Sequence, residues 1–324
     1  MSYVSASTGP QGLRLVYLGY TTKRCRRLEK TLRTSSRHLV QHIRTLVLFR
    51  GPDSHKNSLK IGAFEKICHI SFMRLETVFV CDFGTTTLRS AEALQRLFSL
   101  PTLRQVRLNC SFSDPAAFLA IWDTCAPTIR HLQLFCNNRS GFALRPRVRP
   151  HSSTPIALAS LKLDALNGVD EWLNHDRCPF DLSRLTVLSV PACASMVGWP
   201  GPSAPINISL FSNLQFLRIN IIYPHRSMTI VHGTLAAITS SSPLRQIVFS
   251  FWPVSHVEVA MCKQLDFKVA NLPLPHLSSV GLEMNINEYN RSVPFFPRLD
   301  ARNLLCRTEH DWYERHIGRN DPLE

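Results

Sequence analysis

The stretch Leu100-Pro101-Thr102-Leu103-Arg104-Gln105-Val106-Arg107-Leu108 decides the fold. Leu103, Val106 and Leu108 fit the pattern L-x-x-L-x-L, with Leu, Ile, Val or Phe allowed at each apolar place. The last two apolar residues are two apart, so both point to one face of a short strand. Leu103 precedes that strand and packs beneath it. Outward from this stretch the pattern recurs. Upstream lie Ile43/Leu46/Leu48 and Leu75/Val78/Val80. Downstream lie Ile129/Leu132/Leu134, Leu158/Leu161/Leu163, Leu185/Leu188/Val190, Leu214/Leu217/Ile219, Leu244/Ile247/Phe249 and Leu277/Val280/Leu282. The nine copies are spaced 26 to 33 residues apart, with a mean of about 29. A degenerate start is expected at Leu13/Val16/Leu18.

One such unit cannot bury its apolar face alone. Stacked neighbours bury a continuous core and pair their strands in parallel. The intervening segments read as helices. In 87–98, Leu88, Ala91, Leu94 and Phe98 recur at helical spacing. Ser113-Asp114-Pro115 offers a cap and an early proline before the run Ala116–Trp122. Residues 231–240 read as a further helix, stopped by Ser241-Ser242-Pro243. The expected fold class is α/β, a leucine-rich-repeat solenoid of about nine irregular repeats. The sheet forms its concave face and helices its convex face. Its divisions are a basic helical cap at 1–42, the solenoid at 43–290 and a charged tail at 291–324.

The pattern resembles leucine-rich repeat proteins, and more narrowly the F-box-type proteins of mushrooms and related fungi. The stretches that carry the resemblance are 24–48, 100–108, 126–134, 211–219 and 241–249. The resemblance implies target recognition by the concave face and, as an implied partner, a Skp1-type adaptor of a ubiquitin ligase. Two departures stand out. The Asn or Cys usual at the ninth place of each repeat occurs only at Asn137, Cys193 and Asn285, so irregular turns are expected. No L-P-x-E opening of an F-box occurs in the 42 residues before Ile43.

Composition limits the function classes. The 324 residues carry 37 Lys+Arg against 23 Asp+Glu, a formal net charge of +14, with 44% hydrophobic residues. That apolar share excludes wholesale disorder. No run of 18 apolar residues occurs, so no membrane partner is expected. The N-terminal MSYVSASTGPQGLR lacks a charged start followed by an apolar stretch, so an intracellular place, cytoplasm or nucleus, is expected. The 10 cysteines include no C-x-x-C pair and read as reduced, buried thiols.

No G-x-S-x-G elbow, phosphate loop or dinucleotide fingerprint occurs. The expectation is a binding protein without catalytic, cofactor or metal residues. Glu309, His310, Asp311, Glu314 and His316 match no metal motif and read as a charged terminal helix. The basic run Lys23–Arg37 keeps apolar residues at near-helical spacing and reads as the capping helix. Arg145–His151 and the Pro/Gly-rich 198–205 read as surface insertions. Net charge keeps nucleic acid as a less favoured partner.

The candidate site is the outward row on the strands. Its residues are Gln105, Arg107 and Asn109; His131, Gln133 and Phe135; Lys162 and Asp164; and Phe216, Arg218 and Asn220. They lie between the core-facing positions, so alternation turns them to the concave surface. Arg beside exposed Phe is a composition favoured at protein-binding hot spots. A scaffold unrelated to ubiquitin transfer would use the same surface.

Overall fold

The computed structural model describes residues 6–9, 12–18, 30–35, 40–49, 61–81, 85–112, 115–122, 124–135, 155–164, 173, 178–192, 205–222, 224–252 and 258–309. It is a mixed α/β structure dominated by parallel strand pairing. The chain divides into two compact units. One comprises Met1–Ala157 with Asp176–Phe180, the other Leu158–His175 with Asp181–Glu324. The division falls inside the stretch 43–290 that the sequence presents as one repeat array.

In the first unit, β1 (Ala6–Gly9) pairs antiparallel with β2 (Gly12–Leu18). Parallel pairing then runs from β2 through β3 (Ile43–Phe49), β4 (Thr77–Cys81) and β6 (Gln105–Asn109) to β8 (His131–Phe135). Two-residue strands β5 (Thr85–Thr86) and β7 (Ser111–Phe112) pair beside this ladder, and β9 (Ile156–Ala157) ends the unit's longer segment. Leu46 pairs with Val78, Val78 with Val106 and Val106 with Leu132, in the register the repeat requires. At the start the register differs. Leu15, not Val16, pairs with Leu46, after a shift between Leu13 and Arg14. A one-residue slip exchanges the two faces of a strand, so Leu13/Val16/Leu18 does not continue the repeat in phase.

The alternation in this unit separates a dry face from an outer one. Leu46, Val78, Val80, Val106, Leu108 and Leu132 are buried, as are the preceding Ile43, Leu75, Leu103 and Ile129. Each such side chain stabilises the fold by about 1.5–3 kcal/mol relative to exposure. The polar residues between repeats take fixed roles. Thr102 and Thr128, each just before its apolar anchor, donate to the carbonyls of Leu75 and Leu103 at 2.8 Å. The recurring Pro-Thr-Leu/Ile step therefore tethers one repeat to the previous one.

Helices α1 (Ile61–Cys68), α2 (Leu88–Phe98) and α3 (Pro115–Trp122) supply the other wall of this core. Thr87 caps α2, its side-chain oxygen accepting from Ser90 N at 3.4 Å. Ala91, Leu94, Leu97 and Phe98 are buried, but Leu88 in the first turn is exposed. Phe98, Phe112, Phe118, Trp122 and Phe180 form a chain of ring contacts with centroids 5.1–6.0 Å apart. Of the expected basic capping helix, only a single wide helical turn at Thr31–Ser35 is described. There Leu32 is buried and Arg33 exposed.

In the second unit, β10 (Ser160–Asp164), β12 (Val187–Ala192), β13 (Phe216–Ile222), β14 (Gln246–Trp252), β15 (Ser279–Glu283) and β16 (Leu305–Thr308) pair in parallel, in that order. The short β11, Phe180–Asp181, begins on the last residue of the first unit and ends on Asp181 of the second. Leu161, Leu188, Leu217, Ile247 and Val280 stand in one continuous register row, again as the repeat requires. The apolar anchor Leu277 is only half-buried, unlike the eight before it.

Helix α4 (Pro224–Ala236) begins seven residues before the expected Val231 and ends before Ser241. Its Pro224 stands at the first helical position, where a missing N–H costs nothing. Helix α5 (Val259–Ala270) buries Met261, Cys262, Leu265 and Val269. Helix α6 (Ile286–Ser292) is capped by Asn285, which accepts from Glu288 N at 3.0 Å. This is the one ninth-place Asn or Cys among the described residues, and it closes the turn after its strand. Helix α7 (Pro297–Ala301) leads into β16, a strand with no counterpart in the sequence pattern.

Candidate functional site

In the first unit, the outward positions of four strands line up by register. Val47, Phe79, Arg107 and Gln133 form one row. Thr45, Thr77, Gln105 and His131 form the row before it; beyond it Phe49 pairs with Cys81, and Asn109 with Phe135. Directly opposed side chains on neighbouring strands stand roughly 5 Å apart. Arg107 is exposed, and Phe135 keeps 42% of its surface in solvent. Val47, Phe79, Gln105 and Asn109 are half-buried, whereas His131 and Gln133 are buried. The expected open row is thus open at β6 and at the end of β8, but not at the start and middle of β8.

Arg107 has no carboxylate partner among the described residues. Arg44 pairs with Glu76 at 3.5 Å, and Arg89 pairs with Glu65, donating from Nη2 to Oε2 at 2.9 Å. None of the residues in the three rows is acidic. The face therefore combines a free cation with half-buried apolar side chains.

The same positions in the second unit are arranged differently. Arg218 is buried and donates from Nε to Glu283 Oε2 at 2.5 Å and from Nη1 to Ser189 Oγ at 3.2 Å. Glu283 is 1% exposed. Val187 and Val248 are buried on this face, with half-buried Phe216 packed against them. Lys162 and Asp164 pair along one strand at 3.9 Å, and both are partly buried. Asn220 is half-buried. Here the polar groups satisfy one another, and Arg218 is not left to solvent.

No protein-family model matches the sequence, and no curated protein matches it.

The outer rows include residues beyond those singled out from sequence. Val47, Phe79 and Ser189 occupy the fifth place of their repeats and Glu283 the seventh. The pattern that selected Arg107 therefore marked them too. What it lacked was any measure of which strands leave that face open. Arg145–His151, 198–204 and His310–His316 lie outside the described residues. Glu309 is exposed beside Arg307, at 3.4 Å.

Among the described residues no group of three or more His, Cys, Asp or Glu is placed to hold a metal ion. No described helix is long and apolar enough to cross a membrane. Three of the described thiols, Cys68, Cys262 and Cys306, are held toward the protonated form. Burial pushes Cys262 up to about 12 and raises Cys68 further, with the Glu65 charge adding to the rise. Burial also raises Cys306.

Proposed function

We propose that this chain is a leucine-rich-repeat recognition protein whose outer sheet face binds a protein partner. The nine sequence repeats, their in-register strands and the helices between them support the repeat reading. On this reading the repeats stack as a solenoid of about nine irregular units. The observation that carries the binding reading is the row Val47–Phe79–Arg107 with Phe135 beside it. An Arg with no carboxylate partner among the described residues, set among half-buried aromatic and aliphatic side chains, suits a hot spot. The role is binding and positioning, with no chemistry by this chain.

The resemblance to F-box-type proteins favours the target-binding half of a ubiquitin-ligase receptor, acting in the cytoplasm or nucleus. The test is co-precipitation of the full-length chain with a recombinant Skp1-type adaptor. Retention of the adaptor supports the ligase receptor. Failure to retain it, with a folded chain verified by circular dichroism, removes the ligase role and leaves a recognition scaffold.

A further inference from the structure

We infer that the outer face of the first unit takes an extended acidic segment of a partner protein. In this arrangement a carboxylate sits on Arg107 and the neighbouring apolar side chain packs against Phe79 and Phe135. The inference rests on the recognition reading and names the partner's chemistry.

Three observations converge on it. The guanidinium of Arg107 is exposed and has no carboxylate among the described residues, while none of the three rows is acidic. An incoming carboxylate meets attraction and no like charge from the described residues of these rows, and a planar guanidinium binds it bidentately. The apolar contacts flank the charge closely, since Phe79 is the register partner of Arg107 and Phe135 that of Asn109. Finally, the whole chain carries a formal charge of +14, which steers acidic partners toward it.

The second unit's face does not compete, because Arg218 is already bound by Glu283 and Ser189. Nucleic acid fits this face less well. A phosphate track needs several cations in a line; in the rows from β3 to β8 Arg107 is the only Arg or Lys, and Arg14, the register partner of Thr45, stands three strands away on β2.

The test is a selection of displayed random peptides on the full-length protein, repeated with Arg107→Glu and Phe79→Ala. Wild type is expected to enrich peptides with Asp or Glu beside an apolar residue. Arg107→Glu is expected to reverse the preference toward Lys or Arg. A selected acidic peptide is expected to lose about tenfold in affinity to Arg107→Gln, and nothing to Arg245→Gln, an exposed site in the other unit. Peptides that depend on Phe79 but show no acidic preference would overturn this inference and leave the recognition reading standing. No enrichment by the folded wild-type chain would overturn both. Displacement of a bound acidic peptide by a DNA duplex, lost in Arg107→Gln, would replace the protein segment with nucleic acid.

Discussion

Arg218 on β13 and Glu283 on β15, 65 residues apart in sequence, meet across β14 at 2.5 Å. Both are buried, so the pair ties three strands of the second unit on the face turned away from the apolar core. Removing one partner strands a charge with no water to receive it. Glu283→Gln is expected to destabilise the fold by about 3–5 kcal/mol in denaturant unfolding. The double replacement Arg218→Met/Glu283→Leu is expected to cost far less, because it leaves no buried charge. Equal losses from the single and double variants would show that packing rather than charge compensation matters there.

Gly281 stands beside this pair on β15. A Cβ there would collide with Thr308 Oγ1 and come within 3.0 Å of Val248 Cγ2. The close approach of β16 thus depends on an absent side chain. Gly281→Ala is expected to lower stability by about 1–3 kcal/mol through overpacking. Adding Thr308→Ala, which removes the hydroxyl in the way, is expected to restore much of it. Thermal melts of the three variants check this.

The C-terminal strand has a second anchor. Asp266 on α5 is buried and accepts from the backbone N–H of Arg298 at 3.1 Å and of Leu299 at 2.9 Å. It caps a helix more than 30 residues away, and Arg298 lies over the Phe267 ring at 4.5 Å. Asp266→Ala is expected to cost about 1–2 kcal/mol, the upper range for lost caps. Hydrogen exchange should quicken at the amides of Arg298 and Leu299 more than in β12 or β13. A uniform change across the unit would contradict a local capping role.

His232 on α4 gives the fold a pH dependence. Burial lowers its pKa below the usual value, and the Lys268 charge on α5 lowers it further. The folded state therefore prefers the neutral ring. The contribution is present above the unfolded pKa of about 6.5 and is lost as pH falls through the lowered folded value. The melting temperature is expected to drop on acidification below about pH 6.5. The drop should be smaller in His232→Gln. An unchanged acid profile in that variant would assign the pH dependence to other groups.

The strands and their register were legible in the sequence because each repeat couples an anchor to two alternating core positions. Ile43 through Leu244 as anchors, and the rows from Leu46 to Leu132 and Leu161 to Val280, follow from that spacing alone. Alternation also places Arg107, Arg218 and Glu283 on the outer face. It carries no information on what each outer position meets. Gln133 and Arg218 are consequently buried where Arg107 is exposed. The cap that Asp266 provides and the strand at 305–308 escaped for a different reason. Both depend on partners distant in sequence and follow no local period. The early start of α4 coincides with Pro224, a residue type favoured at the first helical position.

The most direct test of the central claim, that the outer face of the first unit recognises a protein partner, is radical footprinting of the full chain. Side-chain oxidation is compared with and without a bound acidic peptide from the selection. The account predicts protection of Phe79 and Phe135, with the exposed Met73 and Phe267 unchanged. Protection at Met73 or Phe267 with Phe79 and Phe135 left reactive would contradict it.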